Sequence, residues 1–450
     1  MNRVRSPESE KISLAWVALS LGVAALAAWF NSFGSELAPP AERAGWFPFA
    51  GAGAVFERVL NVGLHVATAL GIFGVLRRTL RLPHLNERFG ASATTLAWAS
   101  AAIWMLHPLQ TAMVTDLGRR PELIGALGVV LTLYAFVRGA RVAAIAACAL
   151  GMAAHEVALA APLLVLIYDR TFLTGSFREA WRAGRGFYLG LAATAVLVGV
   201  KVLAGDFRGE PAPWGEPLTA WPYLQVQCQA VVHYLRLAFW PDPLVFDYGV
   251  MRPKPFVWVL PPMFFLLSLL LATIAALWQA RARGFLGAWF FLLLAPTSSA
   301  WPVAAESMAE SRMYLPLAAV VVLGVLGLHR LAGARSFLIC AVVALAAGGA
   351  TVVRNTQYRD ALSLWADAAA KAPGNARALA KLSALQLEAG HVDEAISSGA
   401  EAVGLAPYFA EGHFALGQAL HAAGRRGPAR RHLEQAAKLA PERFGAGSER

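Results

Sequence analysis

Residues 257–279 read VWVLPPMFFLLSLLLATIAALWQ, with no charged side chain among them. As an α-helix this stretch would extend about 34 Å. The hydrocarbon core of a bilayer is about 30 Å thick and takes about 20 apolar residues to cross. Backbone polar groups find no water there, so a crossing segment pairs them internally and is helical. Arg281 and Arg283 follow directly. Arginines gathered at one end of an apolar run mark its cytoplasmic end.

Runs of the same kind recur on both sides of this one. The chain is 57% hydrophobic and 15% charged over 450 residues, an apolar excess that a soluble globular chain does not need. The runs are continuous and rich in Leu, Ala, Val and Gly, unlike the alternating strands of an outer-membrane barrel. The net charge is +11, but the arginines lie at the ends of apolar runs, so they report orientation and exclude a nucleic-acid partner. Cys148, Cys228 and Cys340 sit far apart in apolar settings, which suggests neither a disulfide framework nor a metal site.

The basic residues predict a topology. Arg3, Arg5 and Lys11 precede an uncleaved signal anchor at 12–30, placing the N-terminus in the cytoplasm. Spans follow near 52–76, 91–107 and 122–138, returning at Arg77–Arg78 and at Arg138. Residues 142–168 are broken by Ala154-His155-Glu156 into halves of about 12 residues, too short to cross alone. Further spans fall near 186–203, 257–279, 285–297, 313–329 and 336–353, while 223–239 is amphipathic, as at an interface. The total is about eleven membrane helices, and everything after Val353 falls on the outer face.

The tail has another character. Ala361, Ala395 and Ala429 recur every 34 residues, as do Ala368, Ala402 and Ala436, and Pro373, Pro407 and Pro441. That is the tetratricopeptide-repeat (TPR) period. Small alanines let paired helices approach, and the proline ends the second helix.

Polar groups in apolar sequence need a reason. His107-Pro108-Leu109-Gln110-Thr111 leads to Asp116, Arg119, Arg120 and Glu122 at an outer end. Adjacent guanidiniums there could hold an anionic phosphate; arginines snorkelling to headgroups are the plain alternative. Glu156 is either a cavity carboxylate or part of a surface loop. Glu306 and Glu310 share a face if helical, and Arg312 could meet a phosphate or a carboxylate. Asn61 and His65, four apart, point into the bundle.

These segments, with Asn31-Ser32-Phe33-Gly34, Gln227, Tyr234-Leu235-Arg236-Leu237, Phe246-Asp247-Tyr248 and Pro296-Thr297-Ser298-Ser299, occur in an order that resembles the transmembrane-and-TPR O-mannosyltransferase family, through its bacterial relatives. The resemblance implies a GT-C-class glycosyltransferase that uses a polyprenyl-phosphate-linked sugar, with a carboxylate in the first outer loop as base. The family's adjacent aspartates are absent from that loop, where Glu36 is the nearest substitute. Its acidic residue after His-Pro-x-x-Thr is Ala112 here, and its lysine before Glu156 is His155.

The expectation is an all-α chain: a polytopic GT-C-like membrane domain over 1–353, a TPR α-solenoid of about 2.5 repeats over 354–441, and a tail at 442–450. Glu36, Asp116, Glu156 and Glu310 are the catalytic candidates, and Arg119, Arg120 and Arg312 the lipid-phosphate contacts. Asn61, His65, His107 and Gln227 would be polar residues of the cavity. No metal ligands stand out, although a divalent metal is compatible with the resemblance. The partners would be membrane lipid, the sugar donor and a protein bound by the repeats, at a bacterial inner membrane with the repeats in the periplasm. The second reading is a non-catalytic membrane scaffold that presents its repeats to a partner protein.

Overall fold

The computed structural model describes residues 7–35, 53–203, 219–279, 281–299 and 306–445. Every regular element among them is helical. Eight segments are helical, long and apolar enough to cross a membrane, among them Leu14–Ser32, Ala54–Leu80 and Phe256–Trp278. Phe264, Phe265, Leu267 and Leu271 of the last are exposed. A continuous apolar face of that size is untenable in water, and a bilayer resolves it. The chain is therefore of the multi-pass integral membrane type. It divides into two compact units: 1–204 with 265–296 and 311–356, and 205–264 with 297–310 and 357–450.

In the first unit, the 41-residue apolar stretch Pro316–Thr356 would span about twice the bilayer core if straight. It is a hairpin along helix Ala93–Leu106. Trp104 donates its indole N–H to Tyr314 O at 2.7 Å, and Thr351 donates to Leu106 O at 2.8 Å, so both ends of the hairpin lie at one end of that helix. His329 meets the Phe89 ring and Phe337 meets the Trp98 ring nearer its other end. The chain reverses at Gly333, φ +56°, a left-handed conformation that favours glycine.

The expected interruption after residue 141 is present. Helix Arg141–Ala154 ends at His155, and a 3-10 turn, Glu156–Leu159, leads into helix Ala160–Asp169. Helix 141–154 packs against helix Arg120–Val137 through glycines. A Cβ on Gly128 would come within 2.5 Å of the Gly151 Cα. The obstacle is backbone, which cannot rotate aside as a side chain can. Gly128→Leu is expected to destabilise the protein by about 1–3 kcal/mol, measured by unfolding in detergent micelles. Gly139→Leu at the exposed turn has no neighbour to strike and differs by exerting only the local penalty of its positive φ, +78°.

In the second unit, helices Ala361–Lys371, Ala376–Glu388, Val392–Leu405, Ala410–Ala422 and Arg426–Leu439 follow one another and pack in sequence. Ala368, Ala402 and Ala436 are fully buried, as are Ala395 and Ala429. Ala361 is only half-buried, since no earlier repeat covers it. Pro373 and Pro407 lie just beyond helix ends, and Pro441 opens the short helix Pro441–Phe444.

The last two long helices share a histidine pair. His413 Nδ1 and His432 Nδ1 are 2.9 Å apart, with ring centroids 5.2 Å apart, so the imidazoles meet edge to edge along one N–H···N bond. Pro407 O lies 2.9 Å from His413 Nε2 and can only accept, so His413 carries its proton on Nε2 and His432 donates from Nδ1. Burial first, then the neighbouring His413 and Arg431 charges, lower the His432 pKa. A lowered histidine pKa means that the unfolded chain takes up the proton first. Stability is complete above about pH 6.5 and falls as the pH drops from there through the folded-state value. Hydrogen-exchange protection in helices 410–422 and 426–439, corrected for the intrinsic exchange rate at each pH, should therefore fall between pH 7.5 and 5 in the wild type, and less so in His432→Phe.

Candidate functional site

In the first unit, Glu57, Asn61 and His65 recur every four residues on helix Ala54–Leu80 and so line one face. Asn61 and His65 are both 0% exposed. Arg120, at the start of helix 120–137, reaches that face. Its Nε donates to Asn61 Oδ1 at 2.9 Å, and its Nη2 lies 3.2 Å from Glu57 O and 3.4 Å from Glu57 Oε2. Asn61 Nδ2 donates to Val114 O at 3.1 Å. One turn on, His65 Nε2 donates to Met105 O at 2.9 Å, which leaves Nδ1 to accept from the Tyr314 hydroxyl at 2.8 Å. The Trp29 and Trp104 rings enclose that imidazole.

The neighbouring candidates are engaged locally. His107 Nδ1 accepts from Leu109 N at 3.2 Å. Asp116 accepts from Gly118 N at 2.9 Å and caps the turn that carries Arg119. Arg119 lies between two carboxylates, 3.5 Å from Asp116 and 3.1 Å from Glu122. His155 Nδ1 accepts from Val157 N, and its Nε2 faces Glu156 Oε2 at 3.3 Å. The unit thus brings Arg120 to Asn61 and Arg119 to Asp116. Arg312 is half-buried on the turn Glu310–Met313. Glu36 lies outside the described residues.

The second unit contains a further polar cluster. Helix Ala220–Phe239 buries Tyr223, Gln227, Tyr234 and Leu237 on one side. That side binds the segment 306–310: Gln227 Nε2 donates to Ser307 O at 2.7 Å, and the Tyr234 hydroxyl accepts from Ala309 N at 2.8 Å. Glu310 is 3% exposed. Its Oε1 accepts from Val245 N at 2.6 Å and from the Tyr248 hydroxyl at 2.8 Å. Ser307 Oγ accepts from Met251 N at 2.7 Å. Both residues therefore pin the loop 240–255. His233 Nε2 lies 3.2 Å from the Tyr248 hydroxyl. Burial and then the Arg236 charge lower the His233 pKa.

The tail grips the same loop. Asp247 Oδ1 accepts from Gly249 N at 2.6 Å, from Asn375 Nδ2 at 3.0 Å and from Arg377 Nη2 at 2.7 Å. Asn375 also caps helix 376–388. Lys371 donates to Leu244 O at 3.1 Å, and the Phe246 ring stands edge-on to Tyr358 and Trp365.

Gln227 and Glu310 are thus brought to one segment. His233 was visible in the sequence only as a polar residue on an amphipathic helix, and Tyr248 only within the resemblance. Among the described residues no three His, Cys, Asp or Glu side chains gather as metal ligands. Comparison with protein-family models, with curated proteins and with solved structures finds no match.

Proposed function

We propose that this protein is a membrane-embedded glycosyltransferase of GT-C type that transfers a sugar from a polyprenyl-phosphate carrier to a hydroxyl acceptor. In this reading the short helices 141–154 and 282–294 join the long spans to give about eleven membrane helices. The N-terminus is cytoplasmic, and the tail is a TPR module in the periplasm of a bacterium that binds the acceptor or a partner protein. The observation that carries the reading is Glu310, a buried carboxylate held by a backbone N–H and a tyrosine hydroxyl. Burying a charge is costly, and a segment needing only to pack would do so more cheaply with an apolar residue. The sequence order of the polar segments supports it further. Of the three arginines proposed as phosphate contacts, Arg119 and Arg120 face carboxylates.

The second reading, a non-catalytic scaffold, draws on that same neutralisation of Arg119 and Arg120. The test is transfer from labelled polyprenyl-phosphate sugars by the full chain in lipid vesicles, beside Glu36→Gln and Glu310→Gln. Transfer lost in either variant supports the enzyme and identifies the carboxylate it needs. No transfer from any donor, with specific periplasmic proteins retained by the wild-type chain, supports the scaffold.

A further inference from the structure

We infer that His233 is the base that takes the proton from the acceptor hydroxyl, and that Tyr248 and Glu310 are the positioning residues behind it. This rests on the glycosyl-transfer reading.

The argument follows the protons. Glu310 Oε1 accepts the backbone N–H of Val245 at 2.6 Å, so it presents acceptor lone pairs, and the Tyr248 hydroxyl donates its one proton to it at 2.8 Å. The tyrosine oxygen is then an acceptor toward His233, 3.2 Å away. That fixes the proton of the neutral imidazole on Nε2 and leaves the basic lone pair on Nδ1. Nδ1 hydrogen-bonds to none of the described residues. The ring stands nearly perpendicular to that of Tyr248, at 83°, and is half-buried on the amphipathic helix. Carboxylate, hydroxyl and imidazole thus form a line ending in the basic nitrogen Nδ1, with the orienting group behind the base as in other activated bases. Arg236, one turn further along the helix, donates to Asp242 O, and its charge favours the neutral imidazole that a base must be.

In the transfer step, the acceptor O–H bond breaks and its proton moves to Nδ1. The acceptor oxygen bonds to the anomeric carbon. The bond from that carbon to the carrier's phosphate oxygen breaks, and polyprenyl phosphate leaves with the electron pair. The imidazolium that forms keeps its Nε2–H on Tyr248, with the Glu310 charge behind it, and releases its extra proton to water afterwards. This places a base on the chain although the family's aspartate pair is absent.

The experiment measures transfer by the full chain in vesicles against pH. His233→Gln keeps a donor for Tyr248 but lacks the base. Its expected transfer is about 10²–10⁴-fold slower with donor binding unchanged, and the acid limb of the wild-type profile, with a midpoint below the ordinary imidazole value, disappears. His233→Ala should regain transfer when imidazole is added, which separates lost chemistry from misfolding. Tyr248→Phe should move the limb without abolishing transfer. Transfer by His233→Gln at the wild-type rate with the wild-type pH profile overturns the proposal and leaves the enzyme reading standing. Absence of transfer by the wild type from every donor overturns that reading, and this proposal with it.

Discussion

Arg120→Leu is expected to lower stability by about 3–5 kcal/mol, because it removes one member of a buried ion pair. The Arg120 side chain is 5% exposed and that of Glu57 8%. Removing the guanidinium takes a donor from Asn61 Oδ1, one from Glu57 O and one from the Glu57 carboxylate among packed helices. Arg120→Lys should recover little, since an ammonium cannot reproduce the planar fork that serves two acceptors at once. Glu57→Leu combined with Arg120→Leu should be closer to wild type than Arg120→Leu alone, because replacing both members of a buried pair also removes the carboxylate's burial cost. Unfolding of the purified variants in mixed micelles measures all three. The series also bears on function. A guanidinium that holds two helices together can meet a lipid phosphate only by releasing Glu57. A wild-type chain stabilised by added polyprenyl phosphate, with that gain absent in the double variant, would restore Arg120 as a phosphate contact.

The membrane helices were legible because each depends on a local property, a run long and apolar enough to cross. The interruption at His155-Glu156 was legible too, but only the first half, Arg141–Ala154, is short: the second runs on to Thr174 and is long and apolar enough to cross. The inward face of Asn61 and His65 followed from their spacing, because four residues is about one helical turn. Their partners did not follow. Arg120 lies 59 residues from Asn61 and Tyr314 lies 249 from His65, and nothing local in the sequence encodes such a pairing. Nothing in the sequence singled out Glu57, whose partner Arg120 lies 63 residues on. The repeat period located the alanines that come to be buried. It said nothing of His413 and His432, whose side chains lie off the repeated positions, or of the loop held by Asp247, which belongs to neither pattern. Chemistry built from loops and long-range contacts is the part that composition and periodicity do not carry.

Asp247→Ala is expected to release the first tail helices from the loop 240–255, at a cost of about 2–3 kcal/mol. One carboxylate oxygen accepts from Gly249, Asn375 and Arg377, and the Arg377 side chain is only 19% exposed, so its charge loses a partner that water replaces incompletely. Asp247→Asn keeps an acceptor for the backbone N–H but loses the charge, and should fall between the two. Faster hydrogen exchange across 361–388 and faster tryptic cleavage after Arg377 would register the release; unchanged exchange in Asp247→Ala would mean that Phe246 and Lys371 hold the loop unaided. The consequence reaches further than the tail. Val245 and Tyr248, on either side of Asp247, donate to Glu310, so one short loop is held by the tail through Leu244, Phe246 and Asp247 and holds the buried carboxylate through Val245 and Tyr248. If that connection is energetic, Asp247→Ala and Glu310→Gln will not be additive. A double-mutant cycle should give a coupling of about 0.5–3 kcal/mol, as for residues of one hydrogen-bond network, whereas independent sites would add to within about 0.5 kcal/mol. A coupling in the upper range would mean that a disturbance of the tail helices also reaches Tyr248, and through it the setting of Glu310 and His233.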